Sequence, residues 1–241
     1  MARVRLRIEN ETYRMLDIEL SQMAALVETQ LAGAVDAFER RDIAAAERLI
    51  VGDRRVDEMY ASVEKNVMAA LGEGPFDPER LREIMMIMKV SGELERVGDL
   101  AKNVAKRTLV VSREKFVRPT VGVNRMGRGA LRQFSDILNA YATKNLVAAK
   151  AVWGGDDELD ELYNSVFREI IIVMKEDPKR INACTHMVFI AKNYERVGDH
   201  ATNIAEALHY FITGEPFADE RPKSDEIMVT EKTPSTEGEE K

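Results

Sequence analysis

The chain says one thing twice. Residues Val56 to Val63, VDEMYASV, match Leu159 to Val166, LDELYNSV, and Met23, Phe38 and Ala45 fall on Met126, Tyr141 and Ala148 at the same offset of 103. Further on, Glu95 to Ala105, ERVGDLAKNVA, matches Glu195 to Ala205, ERVGDHATNIA, at an offset of 100. The offset falls because the connector GEGPFDP of the first copy is longer than the KEDP of the second. Self-similarity on this scale restricts the architecture to two copies of one unit, each burying the same apolar stripe. The copies join near Arg118–Pro119, so the expected division is 1–118 for the first repeat and 119–214 for the second.

The repeated unit reads as helical. Leu16, Leu20, Met23, Val27, Leu31, Ala34 and Phe38 recur at the three- and four-residue spacing of one helix face, as do Leu81, Ile84, Met85, Met88, Leu94 and Val97, and then Ile181, Val188, Ala191, Val197 and Ile204. Aromatic residues are 6% of the chain, too few for the packed strands of an all-β fold. None of the seven prolines falls inside a periodic segment, and Asp77–Pro78 and Asp177–Pro178 read as an N-cap followed by proline in the first turn. Six long helices are expected: 9–40, 42–71, 78–113, 122–143, 145–175 and 178–213. The fold class is therefore all-α, two tandem three-helix bundles related by internal duplication. Residues 215–241 are rich in Glu, Pro, Thr and Ser, with few large apolar groups, and read as an acidic, disordered tail.

Charge and cysteine content narrow the setting. There are 42 acidic against 35 basic residues, a formal net charge of −7, which argues against an electrostatic grip on nucleic acid. The tail holds nine acidic and four basic residues, so the body, 1–214, is close to neutral with 33 against 31. Cys184 is the single cysteine, which suits a reducing compartment. The charged start MARVRLRIENETYR contains no apolar signal region, and the longest stretch free of Asp, Glu, Lys and Arg is 11 residues, Ile181 to Ala191. A cytoplasmic protein that meets a membrane only through partners is expected.

Each half carries two acidic pairs at i, i+4: Asp53/Asp57 and Glu95/Asp99, then Asp156/Asp160 and Glu195/Asp199. That spacing puts both carboxylates of a pair on one helix face, where like charges repel. The turn between the second and third helices places residue 55 level with about residue 95, within about 3 Å of rise of the Glu95/Asp99 midpoint, and the second half repeats the offset. Four carboxylates thus gather at one level of each bundle and need compensation. Two kinds are open. Cations that prefer oxygen ligands, Mg, Ca, Mn or Fe, would bind there, with Asn103 and Asn203, one turn on, as an extra ligand or an outer hydrogen-bond partner. Alternatively Arg54, Arg96 and Arg196 neutralise the acids without metal. Gly98 and Gly198 in the same motif fit either close approach of a ligand or close helix packing.

Two three-helix repeats, with LERVGD-A-N-A and YERVGD-A-N-A on the last helices and acidic-xxx-Asp on the middle helices, resemble the PhoU family over about residues 10–214. The AEALHYFITGE ending resembles that family's C-terminal helix, whereas the acidic tail lies outside the shared pattern. The resemblance implies a PhoU-like pair of bundles and a cytoplasmic homodimer with no catalysis of its own. It implies a regulator acting between the phosphate ABC transporter, through its ATPase subunit, and the phosphate-sensing histidine kinase, and repressing the phosphate-starvation response. It also implies divalent or trivalent ions with oxygen ligands (Mg, Mn, Fe or Zn) on E(D)xxxD motifs, which here are Asp53, Asp57, Glu95, Asp99, Asp156, Asp160, Glu195 and Asp199. A metal-binding regulator of a different transporter is the alternative on the same fold. Metal-assisted hydrolysis ranks third, since no base or nucleophile accompanies the acids.

Other signals carry less. Glu206-x-x-His209 has the spacing of a di-iron ligand pair, but the first-half counterparts are Lys106 and Leu109. His200 has Leu100 as counterpart and reads as a surface histidine; Cys184 reads as a small core residue. Lys102, Lys106, Arg107, Arg113, Lys115 and Arg118 read as a solvated basic face. There is no phosphate-binding P-loop, dinucleotide fingerprint or kinase motif.

Overall fold

The computed structural model describes residues 2–72, 74–114 and 120–218, and side chains there except those of 2–13 and Asp156. The expected boundary at Arg118–Pro119, Lys115 and Arg118 of the basic run, and most of the tail lie outside the described residues. The described residues form eight α-helices and one short 3-10 turn, with no strand among them. In chain order the helices are α1 (Ala2–Arg40), α2 (Ile43–Gly52), α3 (Arg54–Gly72), α4 (Pro78–Val111), α5 (Thr120–Thr143), α6 (Leu146–Gly154), α7 (Asp156–Glu176) and α8 (Ile181–Thr213).

Each repeat is three helical rods, as the periodicity requires, but the middle rod is interrupted. The continuous helices expected at 42–71 and 145–175 are α2 plus α3 and α6 plus α7. The interruptions fall where propensity is lowest, at Gly52–Asp53 and Gly154–Gly155, since a helical glycine costs about 1 kcal/mol relative to alanine. Asp53 keeps helical angles (φ −59, ψ −35), and the Val56 N–H closes a tight turn onto its carbonyl at 2.8 Å. The rod therefore kinks at the first acidic residue of the motif.

The connections repeat as well. Arg41 and Lys144, counterparts at the ends of α1 and α5, both take positive φ (56° and 52°), and Asp42 and Asn145 then cap α2 and α6. Arg41 donates to the Val111 and Ser112 carbonyls at 2.9 and 3.0 Å, where the end of α4 gathers partial negative charge. Lys144 instead lies 3.9 Å from the Tyr141 ring centroid, a cation–π contact. Asp77 caps α4 by accepting from the Arg80 N–H at 2.8 Å with Pro78 in the first turn. Asp177 caps the 3-10 turn Pro178–Arg180, so α8 begins three residues later than expected.

The two repeats share one core. The α1 stripe from Leu16 to Phe38, Ile87, Leu94 and Val97 of α4, Met126 and Phe134 of α5 and Ile190, Tyr194 and Val197 of α8 form one continuous apolar cluster. Fully burying each large side chain contributes about 1.5–3 kcal/mol. The last helices of the repeats, α4 and α8, pack on each other, and the first helices, α1 and α5, do the same. Tyr194 is fully buried against Gly127, where an added Cβ would lie 2.9 Å from the ring. Arg128 of α5 pairs with Glu39 of α1, and Ser135 donates to Glu28 at 2.5 Å. Cys184 is buried, as expected of a small core residue.

Candidate functional site

In the first repeat the antiparallel run of α3 against α4 brings the acidic pairs to one level. Asp53 sits at the kink between α2 and α3 with a side chain only 5% exposed; Asp99 on α4 is half-exposed. Between them lies a group that the sequence reading placed on a solvated face. The Lys102 ammonium donates to Asp53 Oδ2 at 2.5 Å and to Asp99 Oδ1 at 2.5 Å, with its own side chain 22% exposed. Burial works against its charge, but its hydrogen bonds to the two carboxylates outweigh this and hold the ammonium well above the usual lysine range. Glu95 faces the opposite pressure. Burial, with Asp99 and Asp57 nearby, raises its carboxyl above the ordinary value, against Arg96 and Lys102.

Lys102 thus pairs with Asp53 and Asp99, while Arg96 offsets charge at Glu95. Arg54 pairs with Glu58 instead, at 2.8 Å along its own helix. The signal was available: Lys102 is three residues past Asp99, on the same helix face. Gly98 serves close packing, because an added Cβ would stand 3.2 Å from Val56 Cγ1. Asn103 is half-buried on α4.

The second repeat is arranged differently. The Asp156 side chain lies outside the described residues; Asp160, Glu195 and Asp199 are half-buried. The counterpart of Lys102 is Thr202, whose hydroxyl donates to the Asp199 backbone carbonyl at 2.8 Å. A cation still approaches, from the other side of the motif: Lys192 donates to Glu195 Oε1 at 2.6 Å, and its side chain is 48% exposed. Among the described residues no group of three or more His, Cys, Asp or Glu side chains is placed to hold a metal ion.

Two residues of the motif belong to the contact between repeats. His200, expected at the surface, is buried between α4 and α8, with Nδ1 2.6 Å from Oε2 of Glu93. It is buried because the shared face of α4 and α8 runs through the motif. Asn203, expected beside Asp199 as an outer partner, donates to the same Glu93 oxygen at 3.1 Å. Burial raises the Glu93 pKa, but the hydrogen bonds from His200 and Asn203 and the charges of His200 and Lys89 bring it below its ordinary value. Glu206 accepts from the Trp153 indole at 3.3 Å and His209 stacks on Phe217 with centroids 4.0 Å apart, so neither points to a shared ion.

A groove of about 930 Å³ opens between α5, α6 and α7, lined by Arg125, Arg132 and Asp136 over an apolar floor that includes Val152 and Leu159. In the first repeat the matching residues are Gly33 and Leu49, for Asp136 and Val152, and an added Cβ on Gly33 would lie 3.1 Å from Leu49. Leu49 thus packs over Gly33 in the first copy, where the second has Val152 and Asp136 at the groove.

The fold and this site define a class: a duplicated helical protein whose halves share one core and each set an acidic-xxx-Asp pair against a Glu-Arg-Val-Gly-Asp helix. The chain belongs to the PhoU family, whose PhoU domain matches residues 20–108 and again 123–208, one match per repeat. It is 40% identical over 211 residues to a protein of Caulobacter vibrioides named phosphate-specific transport system accessory protein PhoU homolog, spanning 87% of this chain and 92% of that one. It is 27% identical to the Escherichia coli phosphate-specific transport system accessory protein PhoU, over 86% of each chain. The crystal structure of PhoU from Pseudomonas aeruginosa superposes with a TM-score of 0.83 at 29% identity, over 86% of this chain and 99% of that one. None of the described helices is long and apolar enough to cross a membrane.

Proposed function

We propose that this protein is a cytoplasmic, non-enzymatic regulator of phosphate uptake and signalling. It couples the phosphate ABC transporter, through the ATPase subunit, to the phosphate-sensing histidine kinase and represses the phosphate-starvation response, acting as a homodimer. The observation that supports this most is the match of both repeats to the PhoU domain, with relatives named as accessory proteins of phosphate-specific transport. The absence of a membrane-crossing helix among the described residues fits a protein that reaches the membrane through partners. Deleting the protein should raise transcription of phosphate-starvation genes in phosphate-rich medium. Unchanged transcription would exclude the reading.

The carboxylates of the second repeat, Asp156, Asp160, Glu195 and Asp199, are proposed as ligands for an oxygen-preferring divalent or trivalent ion, Mg, Mn, Fe or Zn. Support comes from their acidic spacing, from the absence of a lysine at position 202 and from the surface placement of Lys192, which can swing clear of Glu195. Such an ion would neutralise the cluster and fix α7 to α8. Elemental analysis of protein purified without chelator should show metal that is lost in Asp199→Ala; equal metal in both excludes the site.

A further inference from the structure

The two repeats carry the same acidic motif but not the same counter-ion. We infer that Lys102 is the resident cation of the first-repeat cluster, so that this cluster takes no metal and any ion the protein holds sits in the second repeat. The inference rests on the metal reading above only for where that ion sits.

Three observations carry it. First, the Lys102 ammonium bridges the two helical segments that a metal would have to bridge: one carboxylate comes from the α2–α3 kink and one from α4, each at 2.5 Å. Second, the position is enclosed. Asp53 is the most buried acid of the motif among the described side chains, and Lys102 is 22% exposed against 48% for Lys192. An ion entering here would leave a lysine charge half-buried without its partners, whereas Lys192 can move into solvent. Third, what remains once Lys102 has engaged Asp53 and Asp99 is Asp57, which is exposed, and Glu95, so an ion here would have to draw most of its oxygens from water. The duplication supplies the internal control. Position 202 carries threonine, which spends its hydroxyl on its own helix, and position 92, opposite Lys192, carries glycine. Each repeat has one lysine at its acids, one seated inside and one at the rim.

The test is Mn²⁺ binding by full-length protein, read by equilibrium dialysis with elemental analysis. Asp99→Asn should bind as much Mn²⁺ as the wild type. Lys102→Thr, which copies the second repeat, should bind about one further ion per chain, and Lys102→Thr combined with Asp99→Asn should lose it again. Loss of Mn²⁺ in Asp99→Asn alone, or no gain in a folded Lys102→Thr, overturns the inference. The wild type supplies an arm that needs no new variant to fold. Acylation of lysines read by peptide mass spectrometry should leave Lys102 protected relative to exposed Lys65, and millimolar Mn²⁺ should not change this. Lys102 labelled as readily as Lys65, or released by Mn²⁺, means that metal or solvent holds the cluster instead.

Discussion

Glu93→Gln is the substitution that isolates the polar tie between α4 and α8. One Glu93 oxygen takes both His200 at 2.6 Å and Asn203 at 3.1 Å, and the side chains of Glu93 and His200 are only 14% and 10% exposed. Glutamine keeps the shape and removes the charge. A hydrogen bond to a charged group contributes about 1.5–3 kcal/mol and a neutral one about 0.5–1.5, so the loss is about 1 kcal/mol per bond and about 2 in all. At about 2–4 °C per kcal/mol for a chain of this size, the melting temperature at neutral pH should fall by about 4–8 °C. The pH dependence has a definite sign. Glu93 is held below its ordinary value of 4.5 in the folded state, so its contribution is complete above that value and lost as pH falls through the lower folded one. Melting followed by circular dichroism should therefore show a gap between wild type and variant that is present at neutral pH and at pH about 5 and closes in stronger acid. Measuring the difference cancels the other carboxylates, which titrate in both proteins. No gap at neutral pH, or one that persists unchanged into acid, would refute the reasoning.

Two glycine substitutions should move stability in opposite directions. Gly127→Ala drives a methyl to 2.9 Å from the fully buried Tyr194 ring and should cost about 1–2 kcal/mol net, the overpacking exceeding the helix-propensity gain. Gly92→Ala, with nothing within 4 Å of the added methyl, should gain up to about 1 kcal/mol, both read from urea unfolding midpoints. Asp77→Ala removes the cap of α4 and should lower stability by about 1 kcal/mol in the same assay. Cys184 is fully buried and burial pushes its thiol up, so a thiol reagent should leave the native protein unmodified and titrate one thiol per chain in denaturant.

Most of the fold was legible because duplication constrains the reading twice. The apolar stripe of α1 and the Asp77–Pro78 start of α4 hold in the structure as written in the residues. The kinks at Asp53 and Gly155 were missed because periodicity runs through them; only the Gly52–Asp53 and Gly154–Gly155 steps mark them, and a single helical glycine is often tolerated. Register arithmetic brought Asp53 level with Asp99 because antiparallel helices of known rise leave little freedom. It did not place Lys102 between them, since that depends on where one lysine side chain points. His200 was misread for a different reason. Position on a helix places a residue on a face, but which face meets the other repeat is set by how α4 and α8 cross.

The groove between α5, α6 and α7 has one consequence for recognition. A body made of two interchangeable halves offers any partner two equivalent poses, a degeneracy favoured by RT ln 2, about 0.4 kcal/mol, and silent about direction. The exchange of Gly33 and Leu49 for Asp136 and Val152 ends that equivalence. A partner that feels the groove docks in one orientation only, so the molecule has a front and a back although both halves follow one three-rod plan.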